Sequence, residues 1–453
     1  MMKSLRTTIL FAFIISCLII ISACGGKDTG GSQTPTENEE ETPAVNEEPA
    51  KSDPVTLSFT IANTADLTPY QQIFEKFNEE TGHKVEIQPL PGGADYDNML
   101  KTRFGTGDYP DIFLMQPGTK QNIKFRAEEE LYDFSNETAI LEHINEAAVE
   151  YQTTQDNKIY GIPWGTTGAM GIYYNKQIFA EVGVDLPQNY QELIDTAEKI
   201  KAAGYTPFYE AVSDGWPAQI FHLSGWTTYV DPAIGEEGVL KLDSNELKLA
   251  EIPELKGLLE KQLDIKERGL YQENILAGTY DDQQEQFGQG NVAMIFQIAN
   301  IIPLMVEKFG EEFVVDNLGY MPFPSETDRG VAMITQPDQL MISSQGDHVD
   351  VAVELVEFMT SQEMVEYWYS EQPGIPIYKG VESKLYPAQE DVVEFIDAGQ
   401  SMINIQNRLT PTFVDFAKSL QTMFIEEDVD AALNELDENY RRDGRNKRLP
   451  GFE

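Results

Sequence analysis

Apolar positions recur along this chain in alternating two-residue and helical periods. "VTLSFTIA" (Val55 to Ala62) is rich in β-branched and aromatic residues and predicts a strand. "TPYQQIFEKFNEETG" follows, with Tyr70, Ile73, Phe74 and Phe77 at helical spacing, Pro69 suited to a first turn and Gly82 to a stop. "KVEIQPL" predicts a second strand. "YDNMLKTRFGTGDYP" predicts a helix with Met99, Leu100 and Phe104 inward. "DIFLMQ" is short and apolar, as a buried parallel strand would be. Strand and helix in turn predict an α/β sheet with helices on both faces. Ligands of such sheets sit beyond the carboxyl ends of the strands, here the loops Asn63 to Asp66 and Gln116 to Thr119.

"GIPWGTTGAMG" is too rich in Gly, Thr and Pro for a helix and predicts a crossing strand or loop, continued by strand-like "IYYNK". "NKQIFAEVG" predicts a short helix closed by Gly183. "NYQELIDTAEKIKAAG" predicts an amphipathic one with Leu193, Ala197 and Ile200 on one face and Gly204 at its stop. "TPFYEA" starts another strand. Helix is predicted from Glu251 to Gly269, strands at Val292 to Phe296 and in "DQLMISS", and a helix in "VDVAVELVEFMTS". "QPGIPIYKG" reads as a crossing segment, and the end of the chain as helical from Asp391 onward. No internal repeat of fixed period is present.

The first residues differ from the rest. Lys3 and Arg6 precede an apolar run from Ile9 to Ala23, interrupted by Ser16 and Ser22, as in an export signal. The run is shorter than the roughly 20 residues that span a membrane; an uncleaved anchor is the competing reading. It ends in "ISAC", which resembles a bacterial lipobox and implies cleavage before Cys24 and lipid on its sulfur. The other cysteine, Cys17, lies inside the leader, so the mature chain has no thiol for a disulfide, a zinc site or a nucleophile. Residues 24–54 are Glu-, Thr-, Pro- and Gly-rich with almost no large apolar side chains, and predict a flexible acidic tether.

Composition narrows the partners. Against 76 acidic residues stand 32 basic ones, a net charge of −44, which argues against nucleic acid. The four His are scattered without metal-binding spacing, so neither metal nor cofactor is expected. "RRDGRNKR" (Arg441 to Arg448) reads as a solvated helix end, or else as a contact for an anionic partner.

Taken in order, "FEKFNEETGHKVEI", "YPDIF", "IYGIPW" with "YYNK", "FGQGNVAMIF" and "PGIPIYKG" resemble the extracellular solute-binding lipoproteins of bacterial ABC importers, in the sugar-binding group related to maltose-binding protein. The resemblance covers nearly the whole mature chain. It implies a two-lobed periplasmic-binding-protein-like fold (type II), with three interlobe crossings near Ile162 to Thr167, Asp328 to Gln336 and Gly374 to Gly380. The expected organisation is a signal peptide (1–23), a tether (24–54), lobe 1 (55–163 plus 334–374) and lobe 2 (164–333 plus 375–449). It further implies a monomer held to the outer face of the cell membrane by lipid on Cys24. The chain would capture an oligosaccharide in the interlobe cleft for the permease's transmembrane subunits, without turnover.

A sugar site needs aromatic platforms and hydrogen-bonding side chains. Trp164 and Trp216 sit in turn-rich contexts and are platform candidates, with core packing as the alternative; Trp368, on an amphipathic helix, reads as core. In "SDGWP", Asp214 either accepts from sugar hydroxyls or shapes a turn. In "QIAN", Gln297 and Asn300 stand where relatives carry a small residue and Trp, exchanging a platform for amide hydrogen bonding. Asn63, Thr64, Gln116 and Thr166 complete the candidates by position; the first two and Gln116 also suit capped turns. Secreted carbohydrate hydrolases also combine aromatics with a carboxylate pair, and an adhesin would offer an exposed patch instead of a cleft. The missing GxSxG, HExxH and P-loop motifs weigh against an enzyme.

Overall fold

The computed structural model describes residues 53–453 apart from 93, 155 and 414. The leader, Cys24 and nearly all of the tether lie outside the described residues.

The strands run in chain order β1 (Thr56–Ala62), β2 (Lys84–Leu90), β3 (Ile112–Met115), β4 (Ile162–Trp164), β5 (Thr166–Asn175), β6 (Thr206–Phe208), β7 (Val292–Gln297), β8 (Leu318–Met321), β9 (Ala332–Thr335), β10 (Asp338–Ile342), β11 (Ile375–Pro376) and β12 (Ser401–Ile403). Helices that bear on the site are α1 (Thr68–Thr81), α2 (Ala94–Thr106), α3 (Tyr190–Ala202), α4 (Pro253–Glu267), α5 (Tyr280–Gly288), α6 (Ile301–Phe309), α7 (Val349–Met359), α8 (Gln362–Glu371) and α9 (Pro387–Asp397).

Leu57, Phe59 and Ile61 alternate along β1 and are fully buried. α1 lays Tyr70, Ile73, Phe74 and Phe77 against them and ends at Gly82, whose φ of 85° is open to glycine. α2 departs from expectation. Its buried stripe is Tyr96, Leu100 and Phe104, at i, i+4 and i+8, and Met99 is 40% exposed. The Tyr96 hydroxyl donates to the Thr60 and Leu114 carbonyls, so a ring with a polar tip takes the inward place.

The first sheet has the order β2-β1-β3-β10-β4. Only the β1 pairings with β2 and β3 are parallel; β10 runs antiparallel to β3 and β4. The second sheet has the order β12-β9-β5-β7-β6, with β8 and β11 also paired to β5. β5 is its spine. Thr166 and Thr167 pair with β11, Gly168 to Met170 with β9, Gly171 to Tyr174 with β7, and Ile172 to Asn175 with β8. The cores are separate. Phe59, Phe77, Leu340 and Met359 belong to the one beside the first sheet, and Leu193, Phe208, Phe221 and Phe296 to the one beside the second. This is a two-lobed α/β fold.

Two junctions between the sheets are very short. Gly165 alone separates β4 from β5, with φ 115° and its carbonyl accepting the Tyr369 hydroxyl at 2.6 Å. Gln336 and Pro337 alone separate β9 from β10, so Ile334 and Thr335 belong to the second sheet. The third passage doubles back. Ile375 and Pro376 pair with β5, yet Ile377 and Tyr378 return to the core of the first sheet before the chain reaches α9.

Candidate functional site

Between the sheets lies a cavity of about 850 Å³, within the range that holds small-molecule ligands. Both short junctions form its floor: Trp164 to Gly168 on one strand pair, Thr335 to Asp338 on the other. The first sheet adds Asp66 and Tyr70 from the β1–α1 region, and Trp368, Glu371 and Gln372 from the end of α8. The second sheet adds Ile298 to Asn300 after β7, Ile302 and Pro303 of α6, and Tyr386 and Gln389 at the start of α9. Gly168 is required here, because a Cβ on it would stand 2.3 Å from the Cβ of Ala299.

One wall is aromatic. Trp164 and Trp368 stand 4.8 Å apart between ring centres, Tyr70 and Trp368 5.0 Å, and Tyr70 and Trp164 6.5 Å. These rings are largely consumed by one another: Trp164 is 2% exposed and Trp368 7%.

Three carboxylates line the space. Asp66 Oδ1 accepts the Thr68 backbone N–H at 2.9 Å, and Oδ2 accepts the Gln372 amide at 3.0 Å. The Thr68 bond above all holds this carboxyl below its ordinary pKa. Asp338, cross-strand partner of Trp164, lines the cavity and is exposed there. The protein around the cavity raises its pKa through desolvation. Glu371 is exposed at the rim. No Lys, Arg or His lines the cavity among the described residues.

Of the sequence candidates, Trp164, Thr166 and Asn300 come together at this cavity. Asn63 and Thr64 are exposed on the loop that delivers Ala65 and Asp66, and do not line it themselves. Gln116 is exposed, with its carbonyl accepting the Gln339 amide at 2.8 Å. Asp214 and Trp216 serve the start of α5: Asp214 accepts the Tyr280 backbone N–H at 2.5 Å, and Trp216, half-buried, stands edge-on to Tyr280 at 4.9 Å. They are one residue removed from the cavity, since the buried Tyr280 hydroxyl faces Asn300 without a well-aligned hydrogen bond. Gln297 is fully buried and donates its amide to Gln283 at 2.8 Å, so it holds α5 to β7. Trp226 is core, its indole N–H donating to Asp231 at 3.2 Å.

Tyr70, Trp368, Glu371, Gln372, Tyr386 and Asp338 were not among the candidates. Tyr70, Trp368 and Glu371 lie on helices, where periodicity marks packing, and only the fold brings them to the cavity. Asp338 was the one with a signal, directly following the proline of a junction.

Residues 62–366 match the model of the family described as bacterial extracellular solute-binding protein. The chain is 28% identical over 347 residues to the multiple sugar-binding protein of Streptococcus mutans, covering 75% of this chain and 79% of that one. It is 24% identical over 327 residues to the sn-glycerol-3-phosphate-binding periplasmic protein UgpB of Escherichia coli K12, covering 67% and 70% respectively. Among solved structures, the solute-binding protein RafE in complex with raffinose superimposes with a TM-score of 0.72 at 23% identity, over 86% of this chain and 99% of that one. That likeness shows the fold. With two thirds of its length matched by the family model, the chain belongs to the bacterial extracellular solute-binding proteins.

Proposed function

We propose that this chain is the solute-binding component of a carbohydrate ABC importer. It captures an oligosaccharide in the cleft and hands it to the permease without chemical change. The observation that carries this reading is the cavity built on two interlobe junctions, with an aromatic wall and hydrogen-bonding groups from both lobes. The names of its relatives support it: one is called a multiple sugar-binding protein, and one structure holds raffinose.

In this reading Trp164, Thr166 and Asn300 contact ligand, joined by Asp66 and Asp338. Lobe 1 is 55–163 plus 334–374 and lobe 2 is 164–333 plus 375–449, with the first boundary best moved to Gly165 and the second to 336, where the chain changes sheet. Asp214 and Trp216 support the second lobe's wall through Tyr280. The mature protein is a monomer anchored by lipid on Cys24 outside the cell membrane, on the strength of "ISAC" closing the apolar run.

A thermal-shift panel of neutral oligosaccharides tests the function. A sugar at about a hundredfold its dissociation constant stabilises the fold by roughly 2.7 kcal/mol. Chromatography of the same mixtures shows the sugars unconsumed; a hydrolysed product would make the protein an enzyme. A shift with an amino acid or peptide and with no glycan would exclude a carbohydrate role. For the anchor, mass spectrometry of the membrane fraction finds a chain beginning at Cys24 and heavier by its acyl groups. An unmodified Cys24 on a retained leader would exclude lipidation.

A further inference from the structure

We propose that Lys120 is a clasp between the lobes: its ammonium, carried by lobe 1, holds the Gln406 carbonyl of lobe 2 and biases the ligand-free cleft toward closure. The inference rests on the two-lobed ligand-capture reading above and concerns how that same cleft closes.

Lys120 stands on the helical turn Thr119–Phe125, which follows β3. Gln406 lies in the helical turn Ile405–Arg408, which follows β12. Lys120 Nζ donates to the Gln406 backbone oxygen, across 286 residues of sequence. The sheet orders place this bond beside the hinge. β3 is the neighbour of β10 and β12 the neighbour of β9, and β9 and β10 are the strands joined by Gln336 and Pro337. The bond therefore stands one strand out from that junction, on the side away from the β4–β5 junction.

Each end is fixed within its own lobe. On the donor side the Gly118 N–H donates to Gln152 Oε1 at 3.1 Å, and the Gln339 amide to the Gly118 carbonyl at 3.3 Å. On the acceptor side the Asn404 N–H donates to the Ile334 carbonyl at 3.1 Å, the Asn404 side chain accepts the Gln406 N–H at 2.9 Å, and Arg408 pairs with Asp231 at 2.8 Å. One flexible side chain links these two fixed ends. Among the described residues no carboxylate pairs with its ammonium. Two cations lie within electrostatic reach: Lys124 of lobe 1, paired with Asp97, and Lys447 of lobe 2, paired with Asp443. Burial and these two cations lower the pKa of Lys120. A half-buried ammonium held by a single carbonyl regains water when the lobes part, so the bond can open as well as close. While it is made, its charge-assisted character favours the closed arrangement before any ligand arrives. Neither Lys120 nor Gln406 lines the cavity, so the clasp acts on every guest alike.

Small-angle scattering of the ligand-free protein tests the clasp without any sugar. Lys120→Met keeps the length of the side chain and removes the ammonium, and should raise the radius of gyration above that of wild type. Lys120→Arg keeps a charged donor and should stay at the wild-type radius. Gln406→Ala should change nothing, because the acceptor is main chain. The affinity of Lys120→Met for each neutral oligosaccharide of the thermal-shift panel that binds wild type should fall by a common factor of about three or more. Lys120→Ala gives the same readings should the methionine variant fold poorly. A ligand-free radius unchanged by loss of the ammonium overturns the clasp. So does an affinity lost for one sugar and kept for the others, which would make Lys120 a ligand contact. If no sugar of the panel binds, the radius still decides the clasp, and only the carbohydrate reading falls.

Discussion

Trp164 and Trp216 were alike as sequence candidates and separate once their neighbours are known. Trp164 packs on Tyr70, Trp368 and Tyr378, so Trp164→Ala should cost about 3–5 kcal/mol of stability. Trp216 is half-buried at the border of the second core, edge-on to Tyr280, so Trp216→Ala should cost only about 1–2 kcal/mol and should weaken ligand binding through the displaced Tyr280 and Asn300. Urea unfolding and affinity on both variants check this; equal losses of stability would make Trp216 core. A second residue-scale expectation concerns Glu210. It is fully buried, and desolvation pushes its pKa up to about 8, opposed by the Gln262 amide; Tyr271 also faces it. A raised folded pKa means that its contribution is fully present below the ordinary 4.5 and is lost as pH rises through 8. His222, on the far side of Gln262, is pushed down to about 4 by burial, so its contribution is lost as pH falls from 6.5 through 4. Glu210→Gln should therefore melt higher than wild type at pH 8, by about 2 kcal/mol or more, with the gain gone near pH 4.5. A gain that persists at low pH would assign the effect to packing. None of this was legible beforehand: Glu210 sits in "TPFYEA" as one acid among 76, and only its burial distinguishes it.

Elements were far more legible than side-chain roles, because periodicity reports which face is buried and says nothing of what lies opposite. α1, α3, α7 and β1 to β3 fall where their patterns place them. β8, β9 and β12 were missed; each is three or four residues long, too short for a period to establish itself, and each owes its form to a neighbour in the sheet. "SDGWP" was rightly read as turn-rich, but Asp214, like Gln297 of "QIAN", serves α5, whose packing on β7 no local pattern foretells. At the junction of β4 and β5, Gly165 adopts a φ of 115° that residues with a side chain resist. Gly165→Ala is expected to cost about 1–3 kcal/mol, read as a lower urea midpoint with an unchanged slope. No loss at all would show that the junction relaxes into ordinary extended backbone.

For the whole molecule, ligand that touches both lobes stabilises the closed arrangement by its differential contacts and no further. Small-angle scattering should accordingly show a smaller radius of gyration on addition of a bound oligosaccharide. An unchanged radius with tight binding would mean that the lobes are already closed, or that ligand engages one lobe only. The two short junctions carry a further consequence. A joint of one residue beside a joint of two leaves the halves little freedom to slide, and restricts them to turning about a single line, as a book does on its spine. Whatever the chemistry of the guest, the receptor reports it to the permease as one angle. Changes to the backbone of the spine, which is also the floor of the cavity, should then rescale affinity for all guests in similar proportion, whereas changes to side chains of the cavity walls reorder which guest is preferred.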